Sequence, residues 1–118
     1  MKVIVLGASP NPSRYSYKAV RMLLRYGHDP VPVGVREGEI EGKAIIKGKP
    51  QVEGVHTVTL YLNPQRQQDY YEWILSLSPR RVIFNPGTEN TEFKQLLEQR
   101  GIETVENCTL VMLASGLF

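Results

Sequence analysis

Val3-Ile4-Val5-Leu6-Gly7-Ala8-Ser9-Pro10-Asn11-Pro12-Ser13-Arg14 decides the fold. Its first four residues are a continuous apolar run, the pattern of a strand buried on both faces of a parallel sheet. Gly7 ends the run. The Gly and Pro residues up to Pro12 break both helix and strand, so the segment is a loop. Ser13 has the chemistry of an N-cap. A helix from Arg14 to Tyr26 then shows Ala19, Val20, Leu23 and Leu24 as one apolar stripe, with Gly27 at the expected C-terminal cap. Strand, glycine turn and helix together present free backbone N–H groups, which favour a phosphate at the helix N-terminus.

The same punctuation continues along the chain. Pro30 to Val33 reads as a second strand, and its prolines place it near an edge or leave part of its ladder unpaired. A polar, glycine-containing stretch runs from Gly34 to Gly48. Thr57 to Leu62 reads as a third strand, and Pro64 suits the first turn of a helix. Tyr70, Ile74 and Leu77 follow at helical spacing. Arg81 to Phe84 is a fourth strand, ended by Asn85-Pro86-Gly87. Phe93, Leu96 and Leu97 mark a helix that stops at Gly101, Ile102 to Val105 a fifth strand, and Thr109 to Ala114 a short last helix. This order predicts an α/β protein, Rossmann-like and doubly wound, with a mainly parallel five-stranded sheet and helices on both faces.

A length of 118 residues fits a single domain over residues 1–118, with no internal repeat or linker. Hydrophobic residues make up 42% and charged residues 22%, and the formal net charge is +2, so composition makes no case for nucleic acid. No apolar run approaches a membrane span, and the start of the chain lacks the pattern of a signal peptide. A lone cysteine, Cys108, excludes an intrachain disulfide and agrees with a cytoplasmic location.

Three loops are expected to meet at the carboxyl edge of the sheet: Gly7 to Ser13, Gly34 to about Lys43, and Asn85 to Asn90. The fingerprint G-x-G-x-x-G is absent, its positions being Gly7, Ser9 and Pro12. Ser9 and Ser13 offer hydroxyls, and Arg14 or Lys18 offers charge. After the second strand, Val33-Gly34-Val35-Arg36 carries no acid to hold ribose hydroxyls. With Arg36 and Lys43 nearby, a ribose bearing an extra phosphate is favoured, as in coenzyme A or NADP.

The motif Gly7 to Arg14, followed by Ser16, resembles the opening of small stand-alone CoA-binding domain proteins. These are similar in turn to the CoA-binding domain of the succinyl-CoA synthetase alpha subunit and of related acyl-CoA synthetases. The resemblance extends through Pro32 to Val35, Glu39 to Gly42, Asn63-Pro64, Asn85 to Asn90 and Cys108, nearly the whole chain. It implies coenzyme A or an acyl-CoA as ligand. Gly7, Ala8, Ser9, Asn11, Pro12, Ser13, Arg14 and Ser16 would surround the phosphates, with Val33 and Gly34 near the adenosine. Asn85 and Gly87 would face the pantetheine arm. The chain departs from the family at Gly34-Val35, where Asn-Pro is frequent, and at Asn63, where an arginine is frequent. Both changes remove polar or charged side chains from the cleft. The larger ligases carry a phosphohistidine domain and an ATP-grasp domain, and this chain has neither, so binding without catalysis is the sharper expectation.

No catalytic constellation is visible. His28 and His56 are too isolated for a metal site. Cys108 reads most simply as a small buried hydrophobe, with a mixed disulfide to the coenzyme thiol as the alternative. Glu89 and Glu92 suit the first turn of a helix. Tyr70, Tyr71 and Trp73 combine core positions with a candidate partner or dimer surface. An NADP-dependent enzyme and an interaction module that has lost its ligand are the competing functions.

Overall fold

A computed structural model describes residues 1–118. Five parallel strands form one sheet in the order β2-β1-β5-β6-β7: β1 is Lys2–Leu6, β2 Asp29–Val33, β5 Val55–Leu60, β6 Arg81–Phe84 and β7 Glu103–Glu106. The predicted α/β, Rossmann-like architecture is therefore the observed one. The third strand starts two residues earlier than expected and ends at Leu60, and the fifth is shifted by one residue towards Glu106.

Alternation along β1 divides the core. Ile4 and Leu6 face Ile74, Phe93 and Leu97, which belong to α3 (Tyr71–Leu77) and α4 (Thr91–Gln99). Val3 and Val5 face Val20, Leu23 and Leu113, from α1 (Tyr15–Arg25) and α5 (Thr109–Ser115). Each face of the sheet thus carries its own apolar layer, as a doubly wound sheet requires.

β2 is an edge strand, as its prolines indicate. The carbonyl of Val33 points to β1, where it accepts from the amides of Gly7 and Ala8 at 2.9 and 3.0 Å. Pro32 points the other way, and its carbonyl accepts from Ile46 N at 2.9 Å. Pro30 shares that outward phase, so neither missing N–H removes a bond to β1.

The stretch from Gly34 to Gly48 contains a small antiparallel hairpin, β3 (Glu39–Ile40) and β4 (Lys43–Ala44). Glu41 and Gly42 form its turn with φ of 51° and 82°, values that suit a tight primed turn. The hairpin lays Ile40 and Ile45 on the α1 side of the core. The helical segment after β5 is broken into α2 (Pro64–Gln67), a 3-10 turn over Gln68–Tyr70, and α3. Pro64 is in its first turn, as expected, and Asn63 caps it by accepting from Arg66 N at 2.9 Å.

Ser13 is not the N-cap of α1. Arg14 holds that position, without a side-chain capping bond. The Asn11 carboxamide oxygen accepts from both the amide and the hydroxyl of Ser13, at 3.0 and 2.8 Å, so the Ser13 hydroxyl is committed inside the loop. At the other end Gly27 has φ of 82°, and the amides of Gly27 and His28 close the helix on Leu24 and Leu23.

Candidate functional site

The strand order reverses direction between β1 and β5, and the loops leaving these strands diverge to opposite faces of the sheet. This switch point opens a crevice at the carboxyl edge. A cleft of about 220 Å³ occupies it. Gly7, Ala8, Ser9, Asn11 and Arg14 from the first loop line it, with Gly34, Val35 and Arg36 after β2. Leu62, Arg66 and Tyr70 close it from the α2 side.

Hydrogen bonds hold the first two loops together. Gly7 and Ala8 hang from the Val33 carbonyl, and Gly34 passes so close to Ala8 that a Cβ at position 34 would lie 2.3 Å from the Ala8 oxygen. The glycine at this departure from the family is therefore required by close backbone approach. Gly7 takes φ of 95° and packs against Tyr61, whose amide bonds the Leu6 carbonyl at 2.8 Å.

The electrostatics of the cleft are one-sided. Arg14, Arg36 and Arg66 all line it, no Asp or Glu does, and none of the three guanidiniums forms an ion pair. The amides of Ser9, Tyr15, Ser16 and Tyr17 have no acceptor within the chain, and the last three open the 11-residue helix α1. Three unpaired cations beside the positive end of a helix form an anion-binding arrangement.

Of the residues singled out from the sequence, Gly7, Ala8, Ser9, Asn11, Arg14, Gly34 and Arg36 come together in this cleft. Ser16 lines an adjoining cavity of about 390 Å³, with Tyr15, Tyr61, Pro86 and Thr88. The others lie elsewhere. The Val33 side chain is in the core. Pro12 and Ser13 are exposed and do not line the cleft. The Gly87 amide donates to Glu89 Oε1 at 2.9 Å, so Glu89 braces the loop before α4 and is not in the helix's first turn. Lys43 pairs with Asp29 at 3.0 Å, and Lys18 sits 5.4 Å over the Tyr15 ring, so neither lines the cleft.

Asn85 has an interior role that the sequence did not suggest. It is buried, its Nδ2 donates to Thr59 Oγ1 at 2.6 Å and to the Leu60 carbonyl at 2.9 Å, and its Oδ1 accepts from Thr109 N at 2.8 Å. One amide side chain thus joins β5, β6 and α5 beneath the groove. Buried Gln67 does the same on the α2 side. It donates to the Leu62 and Thr88 carbonyls, both at 2.8 Å, and accepts from Asn90 Nδ2 at 2.9 Å.

A third cavity, of about 400 Å³, adjoins the second and is lined by Tyr15, Tyr61, Asn85, Pro86, Cys108, Leu110 and Val111. Cys108 is half-buried at its wall and caps α5, so it is not the fully buried hydrophobe expected from the sequence. Burial pushes the Tyr61 phenol up to about 12, against the opposing effect of the Thr109 and Thr59 hydroxyls. It stays protonated at neutral pH. The residues missed in the sequence are Arg66, Leu62, Tyr15, Tyr61, Leu110 and Val111. An arginine in the first turn after β5, three residues beyond the position where the family often has one, was the available signal for Arg66.

The aromatic cluster is tied into the fold. Tyr71 stacks on Phe93 at 4.3 Å, and Trp73 Nε1 donates to the Pro50 carbonyl at 2.9 Å. All three aromatic residues are half-buried, and Tyr70 lines the cleft.

His28 and His56 lie by the opposite edge of the sheet. His28 Nδ1 is 3.3 Å from the Met1 amino group, and His56 Nδ1 is 2.8 Å from Thr57 Oγ1. Burial, followed by nearby positive charges including Arg81, lowers both below their ordinary value of 6.5. A base whose folded pKa is depressed favours protonation of the unfolded chain. Its contribution is complete above pH 6.5 and is lost as pH falls through the folded value. The melting temperature is expected to fall on going from pH 7 to about pH 5.5, and less so in the His28→Asn, His56→Asn double variant. Identical profiles for the two proteins would contradict this assignment.

The fold and cleft together define a class: a doubly wound α/β domain with a cationic cleft at its switch point. The chain belongs to the CoA binding domain family, whose model matches residues 1–114. Comparison with curated proteins finds no match. Among solved structures, the chain is similar to an uncharacterised protein at 55% identity and a TM-score of 0.97, with 99% of this chain and 97% of that one covered. It is also similar to a Thermus thermophilus protein at 27% identity and a TM-score of 0.87, covering 99% and 90% of the two chains. A conserved hypothetical protein of Pyrococcus furiosus matches at 26% identity and a TM-score of 0.81, covering 93% and 97%. Family membership supports coenzyme A binding, and no helix is long and apolar enough to cross a membrane.

Proposed function

We propose that this protein binds coenzyme A or an acyl-CoA along the carboxyl edge of its sheet, without chemistry of its own. In this reading it acts as a cytoplasmic accessory or sensor protein. The observation that carries the reading is the set of three unpaired guanidiniums, Arg14, Arg36 and Arg66, around the free amides at the start of α1. The diphosphate of coenzyme A would take the amides with Arg14 and Arg66, and the ribose 3′-phosphate would take Arg36. Leu62, Val35 and Tyr70 supply apolar surface for the adenine. The pantetheine arm would run past Ser16, Tyr61 and Pro86, so Asn85 would support the arm's floor through its buried bonds.

Binding without catalysis is favoured by what lines the groove. The Tyr61 phenol is held protonated, and both histidines are at the other edge. A melting screen against coenzyme A, acetyl-CoA, NADP, NAD and ATP tests the proposal. Coenzyme A at about a hundredfold over its Kd should stabilise the fold by about 2.7 kcal/mol, a rise of roughly 10 °C at this size. A comparable rise with NADP and none with coenzyme A would point to the dehydrogenase-like alternative. No rise with any of them would point to an interaction module that has lost its ligand.

A further inference from the structure

The three cavities of the carboxyl edge form one continuous groove. The cationic cleft and the middle cavity share Gly7, Ser9, Arg14, Leu62 and Arg66. The middle cavity and the chamber beyond it share Tyr15, Tyr61 and Pro86. Character changes along this path, from three guanidiniums at one end to Tyr15, Tyr61, Pro86, Cys108, Leu110 and Val111 at the other. An elongated molecule that is anionic at one end and apolar at the other matches that order.

We infer that the chamber is the seat of an uncharged aliphatic acyl group of a few carbons, so that the ligand is a short-chain acyl-CoA thioester and not free coenzyme A. The inference rests on the coenzyme A reading of the groove and adds the chemistry of its far end. The chamber holds about 400 Å³, far more than a bare thiol would fill. No Lys, Arg, His, Asp or Glu lines it. The Asn85 carboxamide in its wall is committed on both atoms to Thr59, Leu60 and Thr109, so its side chain is not free to bind a carboxylate. A dicarboxylic acyl group would therefore find no cation in the chamber to offset the burial of its charge. At the rim, Tyr15 and Val111 are 67% and 57% exposed, and an aliphatic chain lying between them would cover apolar surface that is otherwise wet.

Calorimetric titration of the chain with coenzyme A and with its acetyl, butyryl, hexanoyl and succinyl thioesters tests the inference. Each buried methylene should tighten binding about fourfold, so butyryl-CoA should bind about fifteenfold more tightly than acetyl-CoA. Succinyl-CoA, with the same number of acyl carbons and a carboxylate, should bind at least about tenfold more weakly than butyryl-CoA. Val111→Asp, a change at an exposed position of α5, should erase the gain from acetyl to butyryl. Equal affinity for free coenzyme A and all thioesters, or tightest binding of succinyl-CoA, would overturn the acyl seat and leave the coenzyme A reading standing. No binding of coenzyme A or any thioester would overturn both.

Discussion

Gly34→Ala is expected to lower the melting temperature by roughly 10 °C, about 3 kcal/mol, and to weaken coenzyme A binding at least tenfold. The added Cβ would stand 2.3 Å from the Ala8 oxygen and 3.2 Å from the Ala8 carbonyl carbon. Both are backbone atoms, and Ala8 is fixed by the hydrogen bond that its N–H donates to the Val33 carbonyl. Neither strand end can yield without loosening the hydrogen bonds that join the first loop to β2. Stability and binding therefore fall together, because the same contact sets the fold's edge and the shape of the cleft. Thermal melting and calorimetry of the variant check this. An unchanged melting temperature with full affinity would show that the two loops are not held by this approach.

Arg14→Ala, Arg36→Ala and Arg66→Ala are each expected to weaken coenzyme A binding by about ten- to a hundredfold, the range for hydrogen bonds to charged groups. The free protein should keep its stability to within about 0.5 kcal/mol, since exposed positions without partners contribute little to folding. This pairing of a large binding loss with a small stability change is what separates a ligand site from a structural one. Arg36→Ala carries a finer expectation. Its loss should largely vanish against coenzyme A lacking the 3′-phosphate, whereas the losses at Arg14 and Arg66 should persist. Wild-type affinity in all three variants would remove the electrostatic basis of the proposed function.

The most legible part of the chain was the part governed by local chemistry. Val3 to Leu6 can be little else than a buried strand, and Gly27 closes α1 where a glycine with positive φ is needed. Pro30 and Pro32 placed β2 at an edge because a proline tolerates no ladder bond at its nitrogen. Legibility failed where one residue chose between two partners. Ser13 has the composition of a cap, yet Asn11 captures its hydroxyl, and the helix begins two residues later. The β3-β4 hairpin, with two residues in each strand, is too short to carry a period and depends on the turn at Glu41-Gly42.

In the site, the residues of the first loop could be read because their backbone brings them to the cleft directly. Arg66 could not, since its place depends on Asn63 capping α2 and on the turn of that helix towards the first loop. The departure at Asn63 looked like a lost charge, and Arg66 supplies a cation to the same cleft from the next turn. The family resemblance implies that Asn85 is a contact of the pantetheine arm. Its partners Thr59 and Thr109 are 26 and 24 residues away, and that separation hid its interior role.

Amide chemical-shift mapping of the protein during titration with coenzyme A tests the central claim most directly. The account predicts saturable shifts concentrated at Gly7 to Tyr17, Gly34 to Arg36 and Leu62 to Arg66, with His28 and His56 at the far edge unmoved. An absence of shifts at millimolar coenzyme A, or shifts confined to the far edge, would contradict it.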